Sequence, residues 1–208
     1  MKNEFTSTYV NGKWRSNESK SGKGSELAFT VNYRKYLLKI IKGENIQSMF
    51  DTSCGDWNWM KEIKDELPIY VGNDIVEPLI EDNIVKYGSD KVSFTCEDVL
   101  TQLKSYGDKE FDLIICRHTL EHLPTKYVIN TLNEIRRVSN YGIITSSSGD
   151  NIELNRFDGR SARPVNLNKS PYKEIVGEVY KLFVDTHGED LGDYTTKSEG
   201  CFGYVYKF

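Results

Sequence analysis

Cysteine is scarce in this chain: Cys54, Cys96, Cys116 and Cys201 are its four, and no two form a C-x-x-C pair. That spacing argues against a structural zinc cluster and a disulfide framework, leaving reduced, buried thiols as the expectation. No apolar run approaches the length that crosses a bilayer, and the first residues, MKNEFTSTYVNGKW, lack the apolar stretch of a secretory signal. A cytoplasmic chain without membrane insertion is therefore expected. There is no G-x-G-x-x-G, no internal repeat and no low-complexity linker, although SNESKSGKGS at 16–25 is polar and Gly/Ser-rich enough to be a loop.

What is present suits one compact domain: 208 residues, 38% apolar and 28% charged. The net charge of −4 conceals an asymmetry, because residues 1–43 carry nine Lys/Arg against three Asp/Glu and the remainder carries eighteen against twenty-eight. A basic segment this modest fits a solvated face or an anionic small ligand better than a nucleic-acid footprint.

Apolar residues at 29, 33, 36, 37, 40 and 41 recur at helical spacing until Gly43. Next comes IQSMFD (46–51), a short apolar run ending in an acid, then a turn, then Trp59, Met60, Ile63 and Leu67 at helical spacing. The unit repeats with PIYVGND (68–74) and a helix opened by Pro78 that presents Leu79, Ile80, Ile84 and Tyr87. VSFTCED (92–98) and FDLIIC (111–116) read as further strands, positions 128, 132, 135 and 138 as one helical face, and YGIITSSS (141–148) as a fifth strand. KLFVDT (181–186) and CFGYVYKF (201–208) supply two more, rich in aromatic and β-branched residues. This alternation predicts an α/β, Rossmann-like, doubly wound and mainly parallel seven-stranded sheet with helices on both faces.

Ligands of such sheets bind beyond the carboxyl ends of the strands, where the strand order reverses. Three successive strands end in acids: Asp51, Asp74 and Asp98. Each alone suits a helix cap or a turn. Together they suit a ligand with a ribose, since a carboxylate accepts two hydrogen bonds from a cis-diol. The first turn, DTSCGDW, has a single glycine, which disfavours a pyrophosphate cofactor.

FDTSCGDWNWM, IYVGNDIV, VSFTCEDV and LIICRHTLEHLP together resemble the successive motifs of class I S-adenosylmethionine-dependent methyltransferases. SGKGSELAFT (21–30), CGDWNWM, CRHTLEHL and RPVNLNKSPY (163–172) are similar to a short bacterial branch of that superfamily associated with surface-polysaccharide modification. The resemblance implies S-adenosylmethionine as cofactor and S-adenosylhomocysteine as product. It implies Asp51, Thr52, Ser53 and Gly55 at the methionine end, Asp74 at the ribose, Asp98 with Val99 at the adenine, and Ile75 within the same cofactor set. It also places Ser21, Gly22, Gly24 and Ser25 in a loop closing over the cofactor, and adds Arg117 to the cofactor set. Residues 1–43 are then a cofactor-covering loop and helix, and 44–208 the methyltransferase core, within one domain overall. Ser53 and Trp57 stand where the superfamily usually has glycines.

His118, Glu121 and His122 spell H-x-x-E-H, the inverted zincin signature. The motif runs out of a buried strand, and Pro124 follows His122 by two residues, so a strand-to-helix connection is expected instead of the regular helix that a zinc hydrolase needs. No resident metal is expected. At the end of the fourth strand of a methyltransferase, His118 is the candidate base, and His122 either supports it or packs under the sheet. Arg156, Arg160 and Arg163 suit an anionic group on the acceptor. The leading acceptor is a small anionic molecule, methylated on a sugar hydroxyl or a phosphate-derived group. An RNA or protein acceptor is the alternative, and a zinc hydrolase a remote one.

Overall fold

A computed structural model describes residues 2–14, 16–155, 162–185 and 201–208. The chain opens with α1 (Lys2–Val10), which the apolar pattern did not reveal because only Thr8 and Tyr9 of it are buried. Helix α2 (Val31–Gly43) follows, burying Tyr33, Leu37, Ile40 and Ile41 as its spacing predicts. Then come β1 (Ser48–Asp51), β2 (Ile69–Asp74), α3 (Glu77–Tyr87), β3 (Val92–Cys96), α4 (Val99–Ser105) and β4 (Phe111–Cys116). Helix α5 (Thr125–Val138), β5 (Ser139–Ser147), the single turn α6 (Lys173–Val176), β6 (Lys181–Val184) and β7 (Cys201–Lys207) complete it.

The seven strands form one sheet in the order β3-β2-β1-β4-β5-β7-β6. All pairings are parallel except those of β7, which runs antiparallel to both β5 and β6. Strand order reverses between β1 and β4, so a crevice opens at their carboxyl ends.

Both sheet faces are covered, and successive strand residues therefore go to opposite cores. Met49, Leu113, Ile115 and Ile143 pack on the side of α2 and α3. Phe50, Ile114, Cys116 and Ile144 pack on the side of α4 and α5. Burial on both faces is why these strands read as continuous apolar runs. Val128, Leu132, Ile135 and Val138 of α5 are all fully buried, and each contributes about 1.5–3 kcal/mol by leaving water.

Two local expectations change. Trp59, Met60, Ile63 and Leu67 are all buried, but their segment forms 3-10 turns over Met60–Glu66, broken at Ile63 where φ is −121°. In α3, Ile84 is half exposed and Asn83 is buried in its place, since the Asn83 amide donates to Gly55 O at 2.8 Å. Among the described residues, no helix is long and apolar enough to cross a membrane. Cys54 and Cys116 are buried free thiols, and Cys96 is partly buried.

Candidate active site

The turn after β1 is held from three sides. Thr52 N–H donates to Ile115 O at 3.0 Å and Cys54 N–H to Asn73 O at 2.8 Å, tying it to both flanking strands. Gly55 N–H donates to Asp74 Oδ2 at 3.2 Å, and Asp56 N–H to Ser21 Oγ at 2.8 Å. Gly55 has φ +55°, and a Cβ there would lie 2.4 Å from Ser21 Oγ, so both conformation and space require glycine. Trp57 adopts φ +57°, an αL backbone that an L-residue holds only under restraint. The restraint is its ring, buried among Tyr87, Tyr70 and Phe94 at centroid distances of 4.8, 5.6 and 5.6 Å. Ser53 shares a short hydrogen bond with Thr119.

The three strand-end acids line one cavity of about 360 Å³, a size suited to a single cofactor-scale ligand. Asp51 is buried and accepts from Tyr70 OH at 2.9 Å; burial pushes its carboxyl up to about 7. Asp74 accepts from Gly55 N–H and, at 3.1 Å, from Val76 N–H, and burial raises it to about 6. Asp98 caps α4 by accepting from Leu100 and Thr101 N–H at 3.1 and 3.2 Å and also takes the Tyr127 hydroxyl. Buried carboxyls held above their ordinary range are a setting that a cationic ligand relieves. S-adenosylmethionine, with a sulfonium and an ammonium, fits these residues.

The cavity is roofed by the first residues of the chain. Phe5, Trp14, Ser21, Gly24 and Ser25 line it from that side. Ser19 Oγ and Lys20 N–H donate to Asp56 at 2.9 and 2.8 Å, and Asn58 Nδ2 donates to Ser25 O at 3.0 Å. Gly22 is not on the cavity wall: a Cβ there would lie 2.9 Å from Trp14 Cβ, so it accommodates the tryptophan instead.

At the end of β4, Arg117 lines the cavity but its guanidinium faces protein partners. Nε and Nη2 donate to Asp185 at 3.0 and 2.9 Å, Nη1 donates to Gly24 O at 2.8 Å, and the Tyr33 and Trp59 rings lie 5.1 and 5.7 Å away. His118 follows with φ +51°, its side chain one-third exposed. Its Nδ1 lies 2.9 Å from Glu121 Oε1, while Nε2 lies 3.7 Å from Asp185 Oδ2. Burial raises the Glu121 carboxyl, but the charge and hydrogen bond of His118, then the charge of His122, outweigh it and hold the group at about 2.

The H-x-x-E-H segment is a 3-10 turn, Leu120–His122, in the strand-to-helix connection that its proline predicts. Glu121 is bonded to His118, and the His122 ring meets Phe5 edge-on at 6.4 Å. Among the described residues, no group of three or more His, Cys, Asp or Glu is arranged to hold a metal.

Of the predicted cofactor set, Ser21, Gly24, Ser25, Asp51, Thr52, Ser53 and Gly55 line this one cavity. Asp74, Ile75, Asp98, Val99 and Arg117 line it too, as do His118 and His122. Arg163 does not: it is 93% buried (7% exposed), donates from its backbone to Glu121 O at 3.2 Å and from Nη2 to Leu123 O at 2.9 Å, and so anchors the loop carrying Glu121. Arg156 and Arg160 lie outside the described residues. Asn73, Glu97, Phe5 and Trp14 also line the cavity without having been foreseen. Asn73 and Glu97 adjoin the predicted acids and were within reach of the strand-end argument, whereas nothing in the sequence pattern brings Phe5, Trp14 or Asp185 to the site.

Residues 50–143 match a family model described as a methyltransferase domain. No curated protein matches the chain. Among solved structures, the chain is similar to 1,6-didemethyltoxoflavin-N1-methyltransferase of Burkholderia thailandensis with bound S-adenosylhomocysteine, at TM-score 0.67 and 13% identity over 99% of this chain and 86% of that one. It is similar also to magnesium protoporphyrin IX methyltransferase of Synechocystis PCC 6803 with S-adenosylhomocysteine, at TM-score 0.64 and 13% identity over 100% and 98% of the two chains. A third, described as a SAM-dependent methyltransferase from Archaeoglobus fulgidus, gives TM-score 0.59 and 18% identity over 84% and 94%.

Proposed function

We propose that this chain is an S-adenosylmethionine-dependent methyltransferase that O-methylates a small acceptor, with His118 as the base. The observation that carries this reading is the His118–Glu121 contact of 2.9 Å on the wall of a cavity lined by three strand-end acids. S-adenosylmethionine supplies an already activated methyl group, so the protein must align the acceptor, exclude water and take one proton.

The residues divide by position. Asp51, Thr52, Ser53 and Gly55 hold the amino-acid end of the cofactor, Asp51 answering its ammonium group. Asp74 takes the ribose hydroxyls and Asp98, with Val99, the adenine. The loop at 21–25, fastened to Asp56, Asn58 and Arg117, keeps water out. Phe5, Trp14 and the loop at 21–25 thus serve as the cover, whereas α2, with Tyr33 and Leu37 buried against the sheet, belongs with the core that runs on from residue 44.

A sugar hydroxyl on a nucleotide-linked or phosphate-bearing molecule, within bacterial surface-polysaccharide synthesis, is our leading acceptor. The cavity supports a neutral reacting end: Asp51, Asp74, Glu97, Asp98 and Glu121 line it, and its arginine, Arg117, is paired with Asp185. Any anionic part of the acceptor then lies outside the cavity. The two solved relatives with named acceptors act on small molecules by their descriptions, which accords with this.

The test has two stages. Calorimetric titration with S-adenosylmethionine should give one site per chain, lost in Asp74→Ala. Methyl-labelled cofactor is then offered with a panel of nucleotide-linked sugars and sugar phosphates; transfer that disappears in His118→Ala while cofactor binding persists supports the reading. Absence of cofactor binding by folded protein sinks it.

A further inference from the structure

We propose that Glu121 is a positioning residue that fixes the Nδ1–H tautomer of His118 and so keeps Nε2 as the proton acceptor. This rests on the reading of His118 as the base.

The two imidazole nitrogens face carboxylates at different distances. At 2.9 Å from Glu121 Oε1, Nδ1 must carry a proton, because two acceptors would otherwise face each other. At 3.7 Å from Asp185 Oδ2, Nε2 is beyond hydrogen-bond distance and no proton is demanded there. The neutral ring therefore leaves a lone pair on Nε2. Asp185 is itself committed to Arg117 through two bonds and accepts the Thr145 hydroxyl at 3.4 Å.

Glu121 is placed to hold the ring still. It lies three residues from His118, in a turn closed by His122 N–H donating to Thr119 O and Leu123 N–H to Leu120 O, both at 3.1 Å. Arg163 N–H fastens its carbonyl at 3.2 Å. His118 has a left-handed backbone, φ +51°, a strained conformation of the kind that persists where the surroundings enforce it. Gly24 backs the ring, a Cβ there being 3.7 Å from it.

The proton balance follows. The acceptor oxygen exchanges its bond to hydrogen for a bond to the methyl carbon, and the electron pair of the broken carbon–sulfur bond stays on sulfur. The released proton goes to His118 Nε2. The resulting imidazolium lies between Glu121 and Asp185 until it returns the proton to solvent.

The experiment is nitrogen-15 NMR of the His118 ring in the full chain without acceptor, for wild type, Glu121→Ala and Glu121→Gln. Above the titration of the ring, wild type should carry its proton on Nδ1 and Glu121→Ala should move it to Nε2. Glu121→Gln, which retains an acceptor oxygen, should restore Nδ1–H. A wild-type proton on Nε2, or an unchanged tautomer in folded Glu121→Ala, overturns the proposal.

Methyl transfer to the sugar panel separates the two readings. We expect kcat to fall roughly 10²-fold or more in His118→Ala, and to fall in Glu121→Ala with partial rescue by Glu121→Gln. Loss in His118→Ala with full transfer in Glu121→Ala overturns the positioning role alone. Full transfer in His118→Ala overturns the base itself.

Discussion

Arg117 and Asp185, 68 positions apart, form a two-bond ion pair in which both side chains are almost wholly buried. The pair connects the end of β4 to the end of β6, and the third nitrogen of the same guanidinium reaches Gly24 O in the cavity roof. One side chain thus joins sheet and cover. Removing it strands a buried carboxylate, so Arg117→Met should cost about 3–5 kcal/mol in urea unfolding. Arg117→Met combined with Asp185→Leu should recover most of that, because neither charge then remains unpaired.

Gly55 offers a sharper local test. Alanine there keeps φ +55° only at a backbone cost of about 1–2 kcal/mol, and its Cβ would sit 2.4 Å from Ser21 Oγ. The Ser21–Asp56 bond between cover and turn must then yield. Gly55→Ala should weaken S-adenosylmethionine binding in calorimetry and lower the melting temperature.

Trp57 holds an unfavourable backbone by means of its side chain. Trp57→Ala should destabilise the protein by about 3–5 kcal/mol, since the cavity left among Tyr70, Tyr87 and Phe94 outweighs any relief of the backbone.

Asp51 makes the unliganded protein pH-dependent in a definite direction. Its carboxyl is raised from 3.8 to about 7 in the fold, chiefly by burial, so between those values the native state holds a proton that the unfolded chain has released. Stability from this group is full below about pH 4 and is lost as pH rises through about 7, a change of roughly 4 kcal/mol. Glu121, lowered from 4.5 to about 2, acts oppositely: its stabilisation is full above about pH 4.5 and is lost as pH falls through about 2. Asp74, raised to about 6 by burial, adds a slope of the same sign up to about pH 6, so unfolding between pH 4.5 and 8 should show a steep slope in wild type and a shallower one, ending near pH 6, in Asp51→Asn. Binding of the cationic cofactor favours ionised Asp51, and its affinity should fall as pH drops below about 7.

The strands, the α5 face and the three strand-end acids were readable because they rest on local quantities: side-chain periodicity, burial on both sheet faces and the acids that end strands. Asp51, Asp74 and Asp98 stand together because parallel strands place their carboxyl ends on one edge. The H-x-x-E-H segment was legible as a connection for a similar reason, Pro124 and a preceding apolar strand being adjacent in the chain. Tertiary structure alone decided the rest. Helix α1 has too little apolar periodicity to announce itself, yet the fold carries Phe5 into the cavity wall. Arg163 reads as a loop arginine, but carbonyls at Glu121 and Leu123 draw it inward. Asp185 comes to Arg117 and His118 through sheet order, because β7 inserted beside β5 puts β6 on the outer edge. Periodicity fixes which face a side chain takes, whereas the partner across 68 residues depends on how the whole sheet assembles.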